Sequence, residues 1–266
     1  SFDFGLVIAA SYTFGRSKSV NDGTSSVAYS NWKYNYSRDT NSENELGFSK
    51  FDVPHRLMAQ LSYTTPKYLN GWTSTTISVI YNGFSGSRYS LTMNEDSDFN
   101  GDGQKGNSLL YIPTEAEMDN MNFVDYKDKK TGKLIMSAAD SRKAFTEWVN
   151  NDDYAKNHRG QYAVRNSNLS NWEHEIDLHL AQTIYNAQGL GKLEFTFDII
   201  NFANMLNKKW GASYSSAYNL SPLTVVNLNT DDDGNVTPGY AFNNAKINKS
   251  DISSRWHAQV GIRLTF

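Results

Sequence analysis

The sequence predicts an all-β fold, an antiparallel transmembrane meander of about six strands. Three observations carry that expectation. Six segments alternate apolar and polar residues with period two, which is the side-chain period of a strand and not of a helix. Aromatic residues make up 14% of the chain, yet the mean hydropathy is only −0.59. That combination suits strands of about 10 residues in which every second side chain meets lipid. Finally, the connections between the segments run long, short, long, short, long.

The segments, in order, lie near residues 1–16, 53–65, 72–84, 172–186, 191–203 and 254–266. In the first, Phe2, Phe4, Leu6, Ile8, Ala10, Tyr12 and Phe14 share one face, while Asp3, Gly5, Ala9, Ser11 and Thr13 share the other with Val7. The second sets His55, Leu57, Ala59, Leu61 and Tyr63 against Arg56, Met58, Gln60, Ser62 and Thr64. In the third, Thr73, Thr75, Ile77, Val79 and Tyr81 alternate mostly with Ser and Thr, Ile80 being an exception. The fourth sets Ile176, Leu178, Leu180 and Ile184 against Glu175, Asp177, His179, Ala181 and Thr183. The fifth, "KLEFTFDII", opposes Leu193, Phe195, Phe197 and Ile199 to Lys192, Glu194, Thr196 and Asp198. The last, "SRWHAQVGIRLTF", places Trp256, Ala258, Val260, Ile262, Leu264 and Phe266 on one face.

The short connections are "PKYLNG" (66–71) and "NAQGLG" (186–191), both rich in turn residues; the long ones are 17–52, 85–171 and 205–253. Alternate connections of a meander lie on the same side, so all long loops share one side and all short turns the other. Long extracellular loops with short periplasmic turns are the layout of an outer-membrane barrel, and Phe266 then lies on the periplasmic side. Aromatic girdles are expected at both interfaces. Phe2, Tyr63, Trp72, Tyr185 and Phe266 fall near one end, and Tyr12, Phe14, Tyr81, Trp172 and Trp256 near the other. Single-chain barrels begin at 8 strands, and an open six-strand sheet would leave unpaired edges in lipid. The expectation is therefore the C-terminal piece of a larger barrel, in the outer membrane of a Gram-negative bacterium.

Other classes are excluded. The formal charge is −3, with no basic excess, so no nucleic-acid partner is expected. The chain has no cysteine, so disulfides and thiolate metal sites are out. No run of 18 apolar residues could form a transmembrane helix.

Four stretches carry a family resemblance. "FDVPHRLMAQLSY" holds a D-x-P-H-R start of a strand, and "SRYSLTMNEDSDFNGDGQKGNSLLYIP" an acidic, Gly-rich turn. "FDIINFANMLNKKWG" is a strand leading into an N-x-x-N turn and a Lys-aromatic pair, and "RWHAQVGIRLTF" a terminal strand. Together they resemble TonB-dependent outer-membrane transporters, most closely the Bacteroidetes Oar-like and SusC-like groups with a carboxypeptidase-regulatory-like domain. The resemblance implies a 22-stranded barrel of which this chain supplies the last six strands. It also implies a plug, a TonB complex contacted through the N-terminal part, outer-membrane lipid around the wall, and a surface lipoprotein lid as partners. Val260, Ile262, Leu264 and Phe266 resemble the signal read by the barrel assembly machinery.

Candidate chemistry is sparse. Asp98, Asn100 and Asp102 match the first half of a calcium loop, D-x-N-x-D-G, in which oxygen ligands at alternate positions wrap a hard cation. Asp96 or Glu95 could add a carboxylate, while position 12 is Leu109 instead of Glu. Possible calcium is the one cofactor expected. Asp231–Asn235 reads as a hairpin turn. His174 and His179 stand five apart on a strand and so face opposite ways, which rules out an H-E-x-x-H zinc site. Glu175, Asp177, Glu194, Asp198, Arg255 and Arg263 read as lumen polarity and not as acid–base machinery. Residues 138–150 read as a short helix whose Ala144, Phe145, Trp148 and Val149 serve as loop core. Nine loop aromatics could stack on sugars or peptides: Trp32, Tyr34, Tyr36, Trp148, Tyr154, Tyr162, Trp210, Tyr214 and Tyr218.

The function expected is therefore non-enzymatic: barrel wall and loops of a transporter that imports a ligand captured by the loops. The alternatives are a non-energised binding or secretion-associated barrel and, further off, a soluble calcium-dependent lectin-like β protein.

Overall fold

The structure, a computed structural model, describes every residue except 41–44, 95, 97, 186–190 and 215–217. The turn at 186–190 and the candidate ligand Glu95 lie outside the described residues.

Six strands form one antiparallel sheet in chain order: β1 (Leu6–Phe14), β2 (His55–Thr64), β3 (Thr73–Phe84), β5 (Glu173–Ile184), β6 (Lys192–Ile200) and β9 (His257–Thr265). All six segments expected from the alternation are present. The register brings their apolar faces into line: Leu61 pairs with Ile8 and Val79, Leu178 with Val79 and Ile199, and Phe197 with Leu180 and Val260. A one-residue slip in any pair would send that strand's apolar set to the opposite face. The faces match, so the sheet carries one continuous apolar surface. Many of its side chains are open to the surroundings, Val260 being 75% and Ile262 70% exposed, while Ile199 is buried.

The opposite face is polar and internally bonded. His179 meets Asp198 at 2.5 Å, Glu194 meets Lys192 at 3.0 Å and Arg263 at 3.6 Å, and the Ser62 and Ser78 hydroxyls are 2.7 Å apart. Asp177 accepts the backbone N–H of Asn201, whose φ is 56°. His174 lies on the apolar face, where its Nδ1 meets the Tyr81 hydroxyl at 2.8 Å. The two histidines thus face opposite ways, as their spacing requires. At the long-loop end the rings of Phe14, Tyr12, His55, Trp172, His174 and Tyr81 form an unbroken series of ring contacts. This is the aromatic girdle, with two histidines built into it.

Two expectations are corrected. The first strand begins at Leu6, not at residue 1. Phe2 and Phe4 belong to a turn closed by the Gly5 N–H to Phe2 O bond, with Gly5 at φ 94°. The long connections, expected as loops, contain a second sheet: β4 (Arg88–Asn94), β7 (Asn219–Thr230), β8 (Val236–Phe242) and the short strand Asn168–Leu169. β4 and β7 run parallel, with a register shift between Leu220 and Leu223. Pro222, which has no N–H to give to a ladder, sits in that shift. β7 and β8 form a hairpin that turns at Asp231–Asn235, as expected, with Gly234 at φ 82°.

The buried core lies in this second layer and not in the wall. Helix α1 (Ala138–Asn151) presents Phe145 and Val149 to Leu91, Leu110, Ile112, Leu220 and Leu223, all nearly or fully buried. Ser137 caps the helix by accepting the Asp140 N–H at 3.1 Å. Phe145 and Val149 therefore serve as loop core, as their helical spacing suggests. The apolar wall faces outward while the loops bury their own core, an arrangement that suits lipid around the wall and water around the loops.

Candidate functional site

The loop layer is tied to the wall in two ways. First, the β3–β5 ladder continues past the wall as β4 paired with Asn168–Leu169. The crossing is made at Gly86, where an added Cβ would meet Ser170 Oγ at 2.1 Å and Asn171 O at 2.4 Å. Only glycine lets the two chains approach this closely. Second, Asp52 lies at the head of the D-x-P-H-R stretch and is buried. Its Oδ2 accepts Arg88 Nε and Nη2, and its Oδ1 accepts the Ser17 N–H at 2.7 Å. Arg88 also donates to Ser167 O at 3.0 Å and lies 4.0 Å from the Phe48 ring centroid. The pair therefore joins four chain segments that leave the wall after β1, before β2, after β3 and before β5.

This anchored layer encloses a cavity of about 700 Å³ between residues 21–36, Lys50–Phe51, Arg165–Asn166 and Tyr218. Its aromatic walls are Tyr34, Phe51 and Tyr218, which are 67%, 67% and 54% exposed. Tyr36 lies deeper, and burial near Tyr34 and Tyr218 pushes its pKa up to about 12. Its hydroxyl stays protonated. Asp22 is held in place by four donors: Ser49 Oγ at 2.7 Å, Ser19 Oγ at 2.8 Å, the Lys50 N–H at 3.1 Å and Asn166 Nδ2 at 3.5 Å. Burial works against its charge, but the Ser49, Lys50 and Ser19 hydrogen bonds and the Arg165 charge outweigh it. Its carboxyl is held below the ordinary value. A second cavity, of about 520 Å³, shares Tyr36 and Arg165 with the first and is also lined by Tyr111 and Tyr162.

Of the nine candidate stacking aromatics, Tyr34, Tyr36 and Tyr218 meet in the first cavity and Tyr162 lines the second. Trp148 and Tyr154 instead pack on the loop core. Lys50, Arg165 and Asp22 were missed by sequence reasoning. They stand far apart in the chain, and no local pattern marks them.

Asp98, Asn100 and Asp102 do share one turn. Asp98 accepts the N–H groups of Gly101, Asp102 and Gly103 at 2.7, 3.1 and 2.8 Å. Asp102 accepts the Gln104 N–H at 2.7 Å and Asn107 Nδ2 at 2.6 Å. Asn100 donates to Ser37 Oγ at 3.0 Å. Asp96 is turned away to Lys129, 2.5 Å distant. Among the described residues, no three His, Asp or Glu side chains gather as they would around a metal ion. Val260, Ile262 and Leu264 lie on the apolar face of β9, and Phe266 lies beyond its end, fully exposed.

A lipid-facing antiparallel wall with a folded loop layer at one end defines an outer-membrane β-barrel protein. The sequence model described as "Outer membrane beta barrel domain" matches residues 1–224, and the chain belongs to that family. Its place is the outer membrane. Comparison with curated proteins and with solved structures gives no match.

Proposed function

We propose that the chain forms the wall and ligand-capturing loops of a TonB-dependent transporter. The observation that carries this reading is the 700 Å³ cavity in a loop layer clamped to the wall by Asp52 and Arg88. A surface-facing cavity held rigidly above a transmembrane wall suits capture of a small ligand before passage. The outer edges of β1 and β9 carry no partner strand among the described residues. Further strands must close the barrel, because unpaired edges are not viable in lipid. On this reading they come from the rest of a larger barrel, which also holds a plug and the TonB-contacting segment.

Uptake of labelled oligosaccharides, peptides and iron chelates by cells with and without the full-length protein tests the proposal. Import that depends on the protein and stops on addition of a protonophore supports it. Import that continues under the protonophore would favour a non-energised barrel.

A further inference from the structure

Arg165 is 6% exposed, and its side chain stands between the two loop cavities. Gly47 makes room for it: a Cβ there would come within 3.0–3.1 Å of Arg165 Cβ, Nε and O. The guanidinium donates through one nitrogen to Ser19 O at 2.5 Å and to Glu45 O at 3.3 Å, while its Nε has no partner. Both acceptors are backbone carbonyls. No carboxylate of the described residues reaches Arg165 within ion-pair distance; Asp22 and Glu45 act on it only from further off. A buried cation normally has a counter-charge in contact, and among the described residues Arg165 has none.

Lys50 lines the same cavity and repeats the pattern. Its Nζ donates to Thr24 Oγ1 at 2.9 Å and lies 4.6 Å from the Tyr218 ring centroid, and no carboxylate of the described residues lies within ion-pair distance of it. Asp22, the one carboxylate among the described residues that line the cavity, already accepts four donors. Among the described residues, the cavity therefore has two cations without contacting counter-ions and exposed aromatic faces beside them.

We infer that this cavity takes a carboxylate-bearing ligand, its charge seated between Arg165 and Lys50 and its adjoining ring or apolar face laid on Tyr34, Phe51 and Tyr218. The inference rests on the ligand-capture reading above and adds the ligand's chemistry to it. Acidic sugars and peptides with a terminal carboxylate beside a ring both present that chemistry.

The experiment compares pairs of probes that differ in charge alone, with full-length protein in detergent. Glucuronic acid is set against glucuronamide, and N-acetylphenylalanine against its amide, with affinities measured by titration calorimetry or ligand-observed NMR. At least one acid binds, about tenfold or more tighter than its neutral twin, and the pair that responds identifies the source. Added salt weakens it. Lys50→Gln removes about tenfold of the preference and Lys50→Arg restores it; Lys50 is half-exposed, so folding is not at issue. Arg165→Gln lowers acid binding further, in protein whose circular dichroism matches the wild type. Equal affinity for acid and neutral twin, no binding of either acid, or an unchanged preference in both variants would overturn the inference. A neutral probe whose binding is lost in Tyr34→Ala would overturn it too, yet leave ligand capture standing.

Discussion

Asp52 Oδ2 accepts both Nε and Nη2 of Arg88, at 2.9 and 2.7 Å, in a pair whose side chains are only 2% and 6% exposed. The pair sits where the wall ends and the loop layer begins. Removing one member leaves the other charge buried and unpaired, which costs about 3–5 kcal/mol. Arg88→Met and Asp52→Asn each therefore loosen the loop layer, seen as faster protease cleavage of residues 85–171 in intact outer membranes. The double variant is less damaged than the sum of the single ones, because no uncompensated charge remains. Strictly additive damage would show that the two residues do not act as a pair.

The apolar face of the wall predicts a directional effect of charge. Val260 and Gln259 are neighbours on β9 but point to opposite faces, Val260 pairing with Phe197 and Gln259 with Asp198. Arginine at a lipid-facing mid-wall position costs about 2–4 kcal/mol. Val260→Arg in the full-length protein thus lowers the amount of heat-modifiable, folded barrel in the outer membrane. Gln259→Arg faces Asp198 and leaves that amount near wild type. Equal losses from the two would contradict the assigned faces.

The Asp98 turn separates two explanations of an acidic motif. Three backbone N–H groups end on Asp98, an arrangement in which the side chain substitutes for a backbone turn partner. Asp98→Ala leaves those amides to water and raises hydrogen exchange across residues 98–104. Chelation by EGTA leaves wild-type exchange there within about twofold, because those hydrogen bonds hold the turn by themselves, each contributing about 1 kcal/mol. Loss of protection on chelation alone would show that calcium holds the turn, as the D-x-N-x-D-G spacing suggests.

The wall was legible in the sequence because lipid selects every second residue, leaving a signal within each strand. Leu178, Phe197 and Val260 announce their faces before any partner is known. The loop core leaves no such signal. Leu91, Phe145 and Leu220 meet across separations that no local period encodes, and β7 breaks alternation at Pro222. The site divides the same way. Tyr34, Tyr36 and Tyr218 were visible as loop aromatics, but not their convergence. Asp52 was visible as the first residue of D-x-P-H-R, but its partner Arg88 lies beyond the next hairpin. No local pattern marks Lys50 or Arg165, and only the fold brings them to one cavity.

Gly86 offers the sharpest test of the link between wall and loops. Its Cα passes so close to the opposing strand that an added Cβ would stand 2.1 Å from Ser170 Oγ, 2.4 Å from Asn171 O and 2.6 Å from Ser170 O. Two of these are backbone atoms held by the ladder, including the Ser170 N–H to Ser87 O bond at 2.9 Å, so they cannot give way cheaply. Overpacking of this kind costs about 1–3 kcal/mol. Gly86→Ala is expected to leave the wall folded and heat-modifiable while it parts β4 from residues 168–169. The loop layer then becomes more protease-sensitive, and the cavity loses Arg165 and Asn166 from their places. Gly15→Ala is the matched control, since a Cβ there meets nothing within 4 Å, and it changes neither readout. Wild-type loop protection in Gly86→Ala would show that the two sheets are not joined through this crossing.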